Sequence, residues 1–343
     1  MAYVQGPVSR LGAVNAAGGD QNALFLKQFA GEILTVFEEA NVMMPTHTVR
    51  TISTGKSAQF PATATATAKY HTPGESLIET DDGGGSNSKY LSNVKHNEIV
   101  ITINDLLVSS AFIADIDEAK NHWDVRSEYS RQMGFALSNE ADKNLIRLGL
   151  AGARAQGSTD DRFGGNDYLG ASIDISTATS TGAVTGAEVL AGIVDAAQKL
   201  DEKDVPGNDR FCVLSPEMYY KLVEENKDAI NRDYGNDGNG SLASGVVMSV
   251  AGVRLLKSNH IPSANFTPDA GDLSSLSGTY DFTTQGSIPL GLVFQRGALG
   301  TVKLMDLSVQ SEYQVERMGP LMAASYAMGH DILRNECLVE LKF

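Results

Sequence analysis

The spacing of apolar residues changes several times along the chain, and each change predicts a different element. Leu26, Phe29, Ile33 and Phe37 recur every three or four residues, the period of one helical face. They lie in a tail, residues 1–47, whose first part is small and polar, and a tail with one apolar face needs a surface to dock on. From about 48 to 104 the period falls to two: Val49, Thr51 and Ser53 share one side, Ala and Thr alternate over 62–68, and apolar residues return over 98–103. This predicts a long, irregular antiparallel hairpin. Its far end, Asp81-Asp82-Gly83-Gly84-Gly85-Ser86-Asn87-Ser88, suits a turn and costs entropy to order. The hairpin has few bulky residues of its own, and an isolated two-stranded ribbon is marginal in water, so it is expected to lie on a neighbouring molecule.

Asp115 is a candidate cap for the next element, which runs to about residue 150 without proline and is rich in good helix formers. It spans roughly 50 Å at 1.5 Å per residue, the proportions of a strut. Met133, Leu137, Ala141, Leu145 and Leu148 form its apolar stripe, and Gly134 is a point at which it can bend. A loop rich in Gly, Ser, Asp and Thr follows over 152–184. Thr185-Gly186-Ala187-Glu188 then reads as a capping box, with Val189, Ile193, Ala196 and Leu200 as the buried face of the helix it starts. The strand Arg210-Phe211-Cys212-Val213-Leu214 leads into Ser215-Pro216, a cap followed by a first-turn proline. Paired strands joined near Ala251-Gly252 are predicted within 246–257, and 290–295 is an apolar run fit for a buried strand. Val302, Leu304 and Leu307, and later Leu338, Val339 and Leu341, mark closing strands that return to the long helix. The result is an α+β architecture with a second domain inserted between that helix and the closing strands.

Composition narrows the function. A chain of 343 residues with 42% hydrophobic content can fill two ordinary cores. Its formal net charge of -15 argues against gripping nucleic acid through neutralised phosphates. Cys212 and Cys337 are too far apart for a paired metal motif and too few for a disulfide framework, so they are expected to be inert thiols. The start, MAYVQGPVSRLG, has neither a basic nor an apolar run, and no stretch nears the roughly 18 apolar residues of a spanning helix. No membrane association and a cytoplasmic site of synthesis are expected.

Sequence motifs for chemistry all favour structural readings. Gly55-Lys56-Ser57 matches the end of a phosphate-binding loop, but the glycine needed earlier is Arg50, and the setting is strand-like. It reads as a bend with an exposed lysine. Asp233-Tyr234-Gly235-Asn236-Asp237-Gly238 has Gly235 at the third ligand position of a calcium loop and Ser244 at the twelfth, so it reads as a polar surface loop. Six histidines, at 47, 71, 96, 122, 260 and 330, show no ligand spacing, so a metal site requires long-range convergence. Asp81-Asp82 and Asp160-Asp161 sit in Gly-rich loops and read as solvated turn residues. No nucleophile elbow is present. Catalytic residues, metal ligands and a cofactor are therefore not assigned.

Four blocks in order carry a family resemblance. They are Ala23-Leu24-Phe25-Leu26-Lys27 through Gly31-Glu32-Ile33-Leu34-Thr35; Val49-Arg50 through Ser57-Ala58-Gln59-Phe60-Pro61; His122-Trp123-Asp124-Val125-Arg126-Ser127-Glu128-Tyr129; and Gly300-Thr301-Val302-Lys303-Leu304 with Tyr326-Ala327-Met328-Gly329-His330. This set, reaching from about residue 23 to 343, resembles the major capsid proteins of short-tailed phages similar to coliphage T-seven. The chain departs from the family in its first 20 residues and across 152–184, 231–245 and 262–288.

The resemblance implies the Hong Kong-97-type capsid fold. Residues 1–47 become an N-terminal arm and 48–104 an extended hairpin loop. Residues 105–184 and 297–343 become a peripheral domain with a spine helix at about 115–150, and 185–296 an axial domain. It implies hexamers and pentamers of an icosahedral shell enclosing double-stranded DNA. Its partners are further copies of itself, a scaffolding protein during assembly and a portal protein at one vertex, with a decoration protein left open. The expected place is the virion, after assembly in the host cytoplasm. Phe25, Phe29 and Ile33 on the arm, with Arg50, Lys56, Lys69 and Lys95 on the hairpin, are the candidate inter-subunit contacts. Some relatives of this fold form lysine-to-asparagine cross-links, and no motif here assigns such a pair. Two other readings stand beside this one: a tail-tube or decoration subunit, and an enzyme with a site built from distant residues.

Overall fold

The computed structural model describes residues 41–64, 66, 68–77, 90–92, 94–103, 106–116, 125–155, 168–175, 184–225, 240–241, 246–247, 249–263, 265, 280, 282 and 287–343. The arm residues Phe25, Phe29 and Ile33, the hairpin tip at 81–88 and the loop at 233–238 lie outside them.

Strand β1 (Thr48–Thr51) is followed by β2 (Ser57–Thr63), β3 (His96–Thr102) and β4 (Leu107–Phe112). β2 and β3 pair antiparallel, with Phe60 opposite Ile99 and Ala58 opposite Ile101. Their side chains alternate as a half-buried ribbon requires: Ala58, Ala62, Ile99 and Ile101 are buried, while Gln59, Pro61 and Val100 face outward. Two findings differ from the sequence reading. β1 does not pair within the hairpin but runs parallel to a strand some 250 residues away, Val49 facing Thr301. The hairpin root also does not await a neighbour, because Ala58 and Ile101 pack on Val302, with Ile52, Phe60, Ile103 and Leu333 around them. The root lies so close to the body that a Cβ on Gly329 would stand 2.1 Å from the Thr102 carbonyl oxygen.

Helix α1 (Val125–Arg154) is 30 residues long and extends four residues past the expected end. Its stripe is buried as the spacing predicts: Met133, Leu137, Ala141, Leu145 and Leu148. The two halves of that stripe serve different cores. Met133, Leu137 and Ala141 join Ile113, Met322, Ala324, Tyr326 and Met328. Leu145, Ile146, Leu148, Leu150 and Ala153 enter the larger core, with Val213, Leu292 and Leu338.

β5 (Ala171–Asp174) and α2 (Gly186–Glu202) follow. The capping box at the start of α2 is present: the Glu188 amide donates to Thr185 Oγ1 at 3.3 Å and the Thr185 amide to Glu188 Oε2 at 2.8 Å. β6 (Arg210–Leu214) is buried throughout and leads into α3 (Pro216–Glu225). Short pairs follow, β7 (Gly240–Ser241) with β8 (Val246–Val247), and β9 (Ser249–Val250) with β10 (Val253–Lys257). Ala251 and Gly252 join the latter pair with φ of 49° and 77°. Positive φ at both central residues is the mark of the tight hairpin turn whose twist matches its strands.

The chain closes with β11 (Pro289–Gln295), β12 (Leu299–Gln314), β13 (Gly319–Ile332) and β14 (Leu338–Lys342). Two main sheets result, one ordered β1-β12-β13-β4 and the other β5-β14-β11-β6-β10-β9. β14 thus returns to the long helix as a member of the second sheet, beside β11 and β5. A Cβ on Gly149 would meet Leu292 Cδ2 at 2.5 Å, which shows how closely α1 lies on β11. At the end of α1, Arg154 grips Glu340 of β14 with both faces of its fork: Nη2 to Oε1 at 2.6 Å and Nε to Oε2 at 2.7 Å. Arg154 also donates to the Ser287 carbonyl at 3.1 Å, and its guanidinium stands 4.8 Å from the Phe282 ring centroid. Burial pushes the Glu340 carboxyl above its ordinary value, and Arg154 opposes that shift.

Candidate assembly surface

The Ala64 amide still donates across the hairpin to the Lys95 carbonyl at 2.9 Å, and beyond it the described residues are held by polar contacts. Thr72-Pro73-Gly74-Glu75 forms a turn closed by the Glu75 amide on the Thr72 carbonyl at 3.2 Å, with Gly74 at φ 98°. Proline and a positive-φ glycine suit its two central positions. Tyr90, ahead of β3, clasps this turn. Its hydroxyl accepts from the Thr72 amide at 3.1 Å and donates to the Glu75 carboxylate, and its ring lies 5.0 Å from that of His71. Around the clasp Tyr70 is fully exposed, with Leu77 at 59% and Leu91 at 60%. Fully burying side chains of this size is worth roughly 1.5–3 kcal/mol each. Sequence reading passed over all three, because single apolar residues in a polar stretch have no period to betray them.

Sequence-selected hairpin residues are separate in the structure. Arg50 is exposed, and its side chain lies along β2: Nη1 donates to the Gln59 carbonyl at 3.1 Å and the guanidinium lies 5.7 Å from the Phe60 ring. Lys56 follows Gly55, at φ 113°, in the exposed bend before β2, and its carbonyl accepts from the Ile103 amide at 2.8 Å. Lys69 is exposed in the segment beyond β2, and Lys95 is exposed just before β3. A second apolar group stands at the far end of the β12–β13 ribbon, where Tyr313, Val315 and Met318 are half or more exposed.

At the opposite end of the hairpin, residues 41–47 are packed into the body through a short helical turn, Met44–Thr46. The Asp142 carboxylate of α1, fully buried, accepts from the Val42 amide at 2.9 Å and the Met43 amide at 3.2 Å. Here two histidines do converge. His47 Nδ1 meets the Met43 carbonyl at 2.8 Å, His47 Nε2 meets Thr301 Oγ1 at 2.5 Å, and Thr301 Oγ1 meets His330 Nδ1 at 2.7 Å. Burial holds His47 down to about 4 and His330 down to about 3, so both rings are neutral at pH 7. They form a hydrogen-bond chain, and among the described residues no group of three or more His, Cys, Asp or Glu side chains is placed to hold a metal ion. Cys212 and Cys337 are both buried free thiols; burial pushes Cys337 up to about 12 and Cys212 higher still. No helix among the described residues is long and apolar enough to cross a membrane.

The family model described as "Gp10A-like: Major capsid protein" matches residues 59–342. The major capsid protein of Escherichia phage T7 is 33% identical over 334 residues, covering 93% of this chain and 92% of the relative. That of Enterobacteria phage T3 is 32% identical over 352 residues, covering 98% and 96%. The capsid structure of the cyanophage P-SCSP1u is similar with a TM-score of 0.71 and 40% identity, over 98% of each chain. This is a structural family and not an enzyme class. The chain belongs to the Gp10A-like major capsid proteins, virion shell subunits of the T7 and T3 type with the Hong Kong-97-type capsid fold.

Proposed function

We propose that this subunit closes hexamers and pentamers into an icosahedral shell around double-stranded DNA, and that its arm and distal hairpin cross onto neighbouring copies to do so. The observation that carries the reading is the exposed set Tyr70, Leu77 and Leu91 around an internally clasped turn. The clasp holds the turn's shape while its large apolar side chains remain in water, so a second surface is needed to cover them. Repeated around closed rings, individually modest contacts accumulate into a stable assembly. The net charge of -15 keeps free subunits soluble and spares the packaged DNA an adhesive lining.

In this reading residues 1–47 act as the arm, 48–104 as the extended loop, 105–184 with 297–343 as the peripheral domain and 185–296 as the axial domain. Phe25, Phe29 and Ile33 dock the arm, Lys56, Lys69 and Lys95 meet acidic residues of adjacent subunits, and Arg50 is a further inter-subunit contact. A scaffolding protein guides assembly in the host cytoplasm, and a portal protein replaces one vertex. The test is to reverse Lys56, Lys69 and Lys95 to Glu, then compare negative-stain images with the circular dichroism of the soluble chain. Folded subunits without shells are the expected result. Normal shells would dispose of the lysine contacts, and tubes from the unaltered chain would dispose of the closed-shell reading.

A further inference from the structure

We infer that Asp142, Thr301 and His330 are positioning residues for assembly: they clamp residues 41–47 against α1 and β12, and so set where and in which direction the arm leaves the body. The inference rests on the proposed reading of residues 1–47 as an inter-subunit arm. Its basis is a set of contacts that converge on seven residues from three distant parts of the chain. Asp142 holds the Val42 and Met43 amides, and Asn41 Oδ1 accepts from the Met44 amide at 2.8 Å. Met43, Thr46 and His47 are buried, Met43 within the larger core.

Hydrogen-bond accounting makes the histidine chain one-way. The Met43 carbonyl only accepts, so His47 Nδ1 must carry the proton and Nε2 must be the acceptor. Thr301 Oγ1 therefore donates to His47, and has to accept from the Nδ1–H of His330. Thr301 lies opposite Val49 on one side and opposite His330 on the other, so the chain runs from β13 across β12 into the turn that precedes β1. No other natural side chain of this shape does both jobs: serine keeps them, valine keeps the shape and neither hydrogen bond.

The same accounting fixes the response to acid. A proton on His47 turns Nε2 into a donor, and the Thr301 hydroxyl hydrogen then loses its acceptor. Asp142 on α1 draws positive charge toward His47, while Lys303 on β12 and Arg296 before it repel it; Lys303 and His47 repel charge on His330. The Tyr280 ring packs 6.2 Å from His330, and His260 Nδ1 stands 3.7 Å from Asp142 Oδ2. Burial outweighs the attraction of Asp142 at His47.

Amide hydrogen exchange of the soluble full-length chain, corrected to intrinsic rates at each pH, tests the clamp. In Thr301→Val, protection of the Val42, Met43 and Thr46 amides is expected to fall at least about tenfold, with β6 and β11 unchanged; Thr301→Ser should restore it. Between pH 7.5 and 5 the wild-type root should lose protection by about thirtyfold for each histidine exposed, and His330→Asn should lose less. Unchanged root amides in Thr301→Val, or protection lost equally through β6 and β11, would overturn the clamp. Normal shells from a Thr301→Val chain whose root has loosened would overturn the link to assembly. Serine at Phe25, Phe29 and Ile33 separates the two readings: normal shells there would remove the arm itself while leaving the amide results standing.

Discussion

Replacing Glu340 by alanine isolates the contact that fastens the end of α1 to the second sheet. Glu340 has no exposed side chain and Arg154 is 11% exposed, so the variant leaves a nearly buried guanidinium with the Ser287 carbonyl and the Phe282 face as described partners. Three short contacts disappear, at 2.6, 2.7 and 3.0 Å. Removing one member of a buried pair costs about 3–5 kcal/mol, a large share of the roughly 5–15 kcal/mol that stabilises a domain. Replacing both members together, as Arg154→Met with Glu340→Leu, removes the stranded charge and should lie within about 1 kcal/mol of the wild type, or above it. Urea unfolding of the soluble chain measures all three, read as a midpoint shift at constant slope. The reasoning fails if Glu340→Ala costs less than about 1 kcal/mol, or if the double replacement costs as much as the single one.

Other expectations follow from the same contacts. Gly329→Ala forces a methyl against the Thr102 carbonyl, so the hairpin root should lift and the chain lose about 1–3 kcal/mol, while Ala327→Gly nearby should leave Thr102 exchange as it was. Serine at Tyr70, Leu77 and Leu91 should leave the unfolding midpoint unchanged yet prevent shells from forming; a lowered midpoint would mean these side chains already serve the subunit's own core. The folded pKa values of His47 and His330, about 4 and 3, lie below the unfolded value of 6.5. Stability is therefore intact above pH 6.5 and is lost as pH falls toward 4. At pH 5 each histidine costs about 2 kcal/mol. Glu336 and Glu340, both raised by burial, act in the opposite sense. An acid slope unaltered in His330→Asn would refute the assignment to the histidines.

Local signals in the sequence located α1, the starts of α2 and α3, and the turn between β9 and β10. The Thr185–Glu188 box, the Ser215-Pro216 helix start, the Ala251-Gly252 turn and the stripe from Met133 to Leu148 each depend on residues within a few positions of one another, and each stands where its spacing placed it. What escaped depends on partners far along the chain. Thr48–Thr51 alternates like a hairpin strand, but nothing in that alternation names β12 as its neighbour. Glu340 looks like a surface residue within an apolar strand until Arg154 arrives from 186 positions away. The candidate assembly surface divides the same way. The lysines were legible as exposed charge, whereas Tyr70, Leu77 and Leu91 gain meaning only from the turn they surround.

The division of α1 between two cores has a mechanical consequence. One continuous rod of about 45 Å is bonded along its first half to the four-stranded sheet and along its second half to the six-stranded one. Tilting one sheet against the other must therefore bend the rod or slide a packed half out of register, and close-packed interiors resist both. A subunit built this way has few intermediate shapes. Changes of curvature across a shell are then carried as discrete steps at subunit boundaries, and the rod hands any load felt at one sheet to the other.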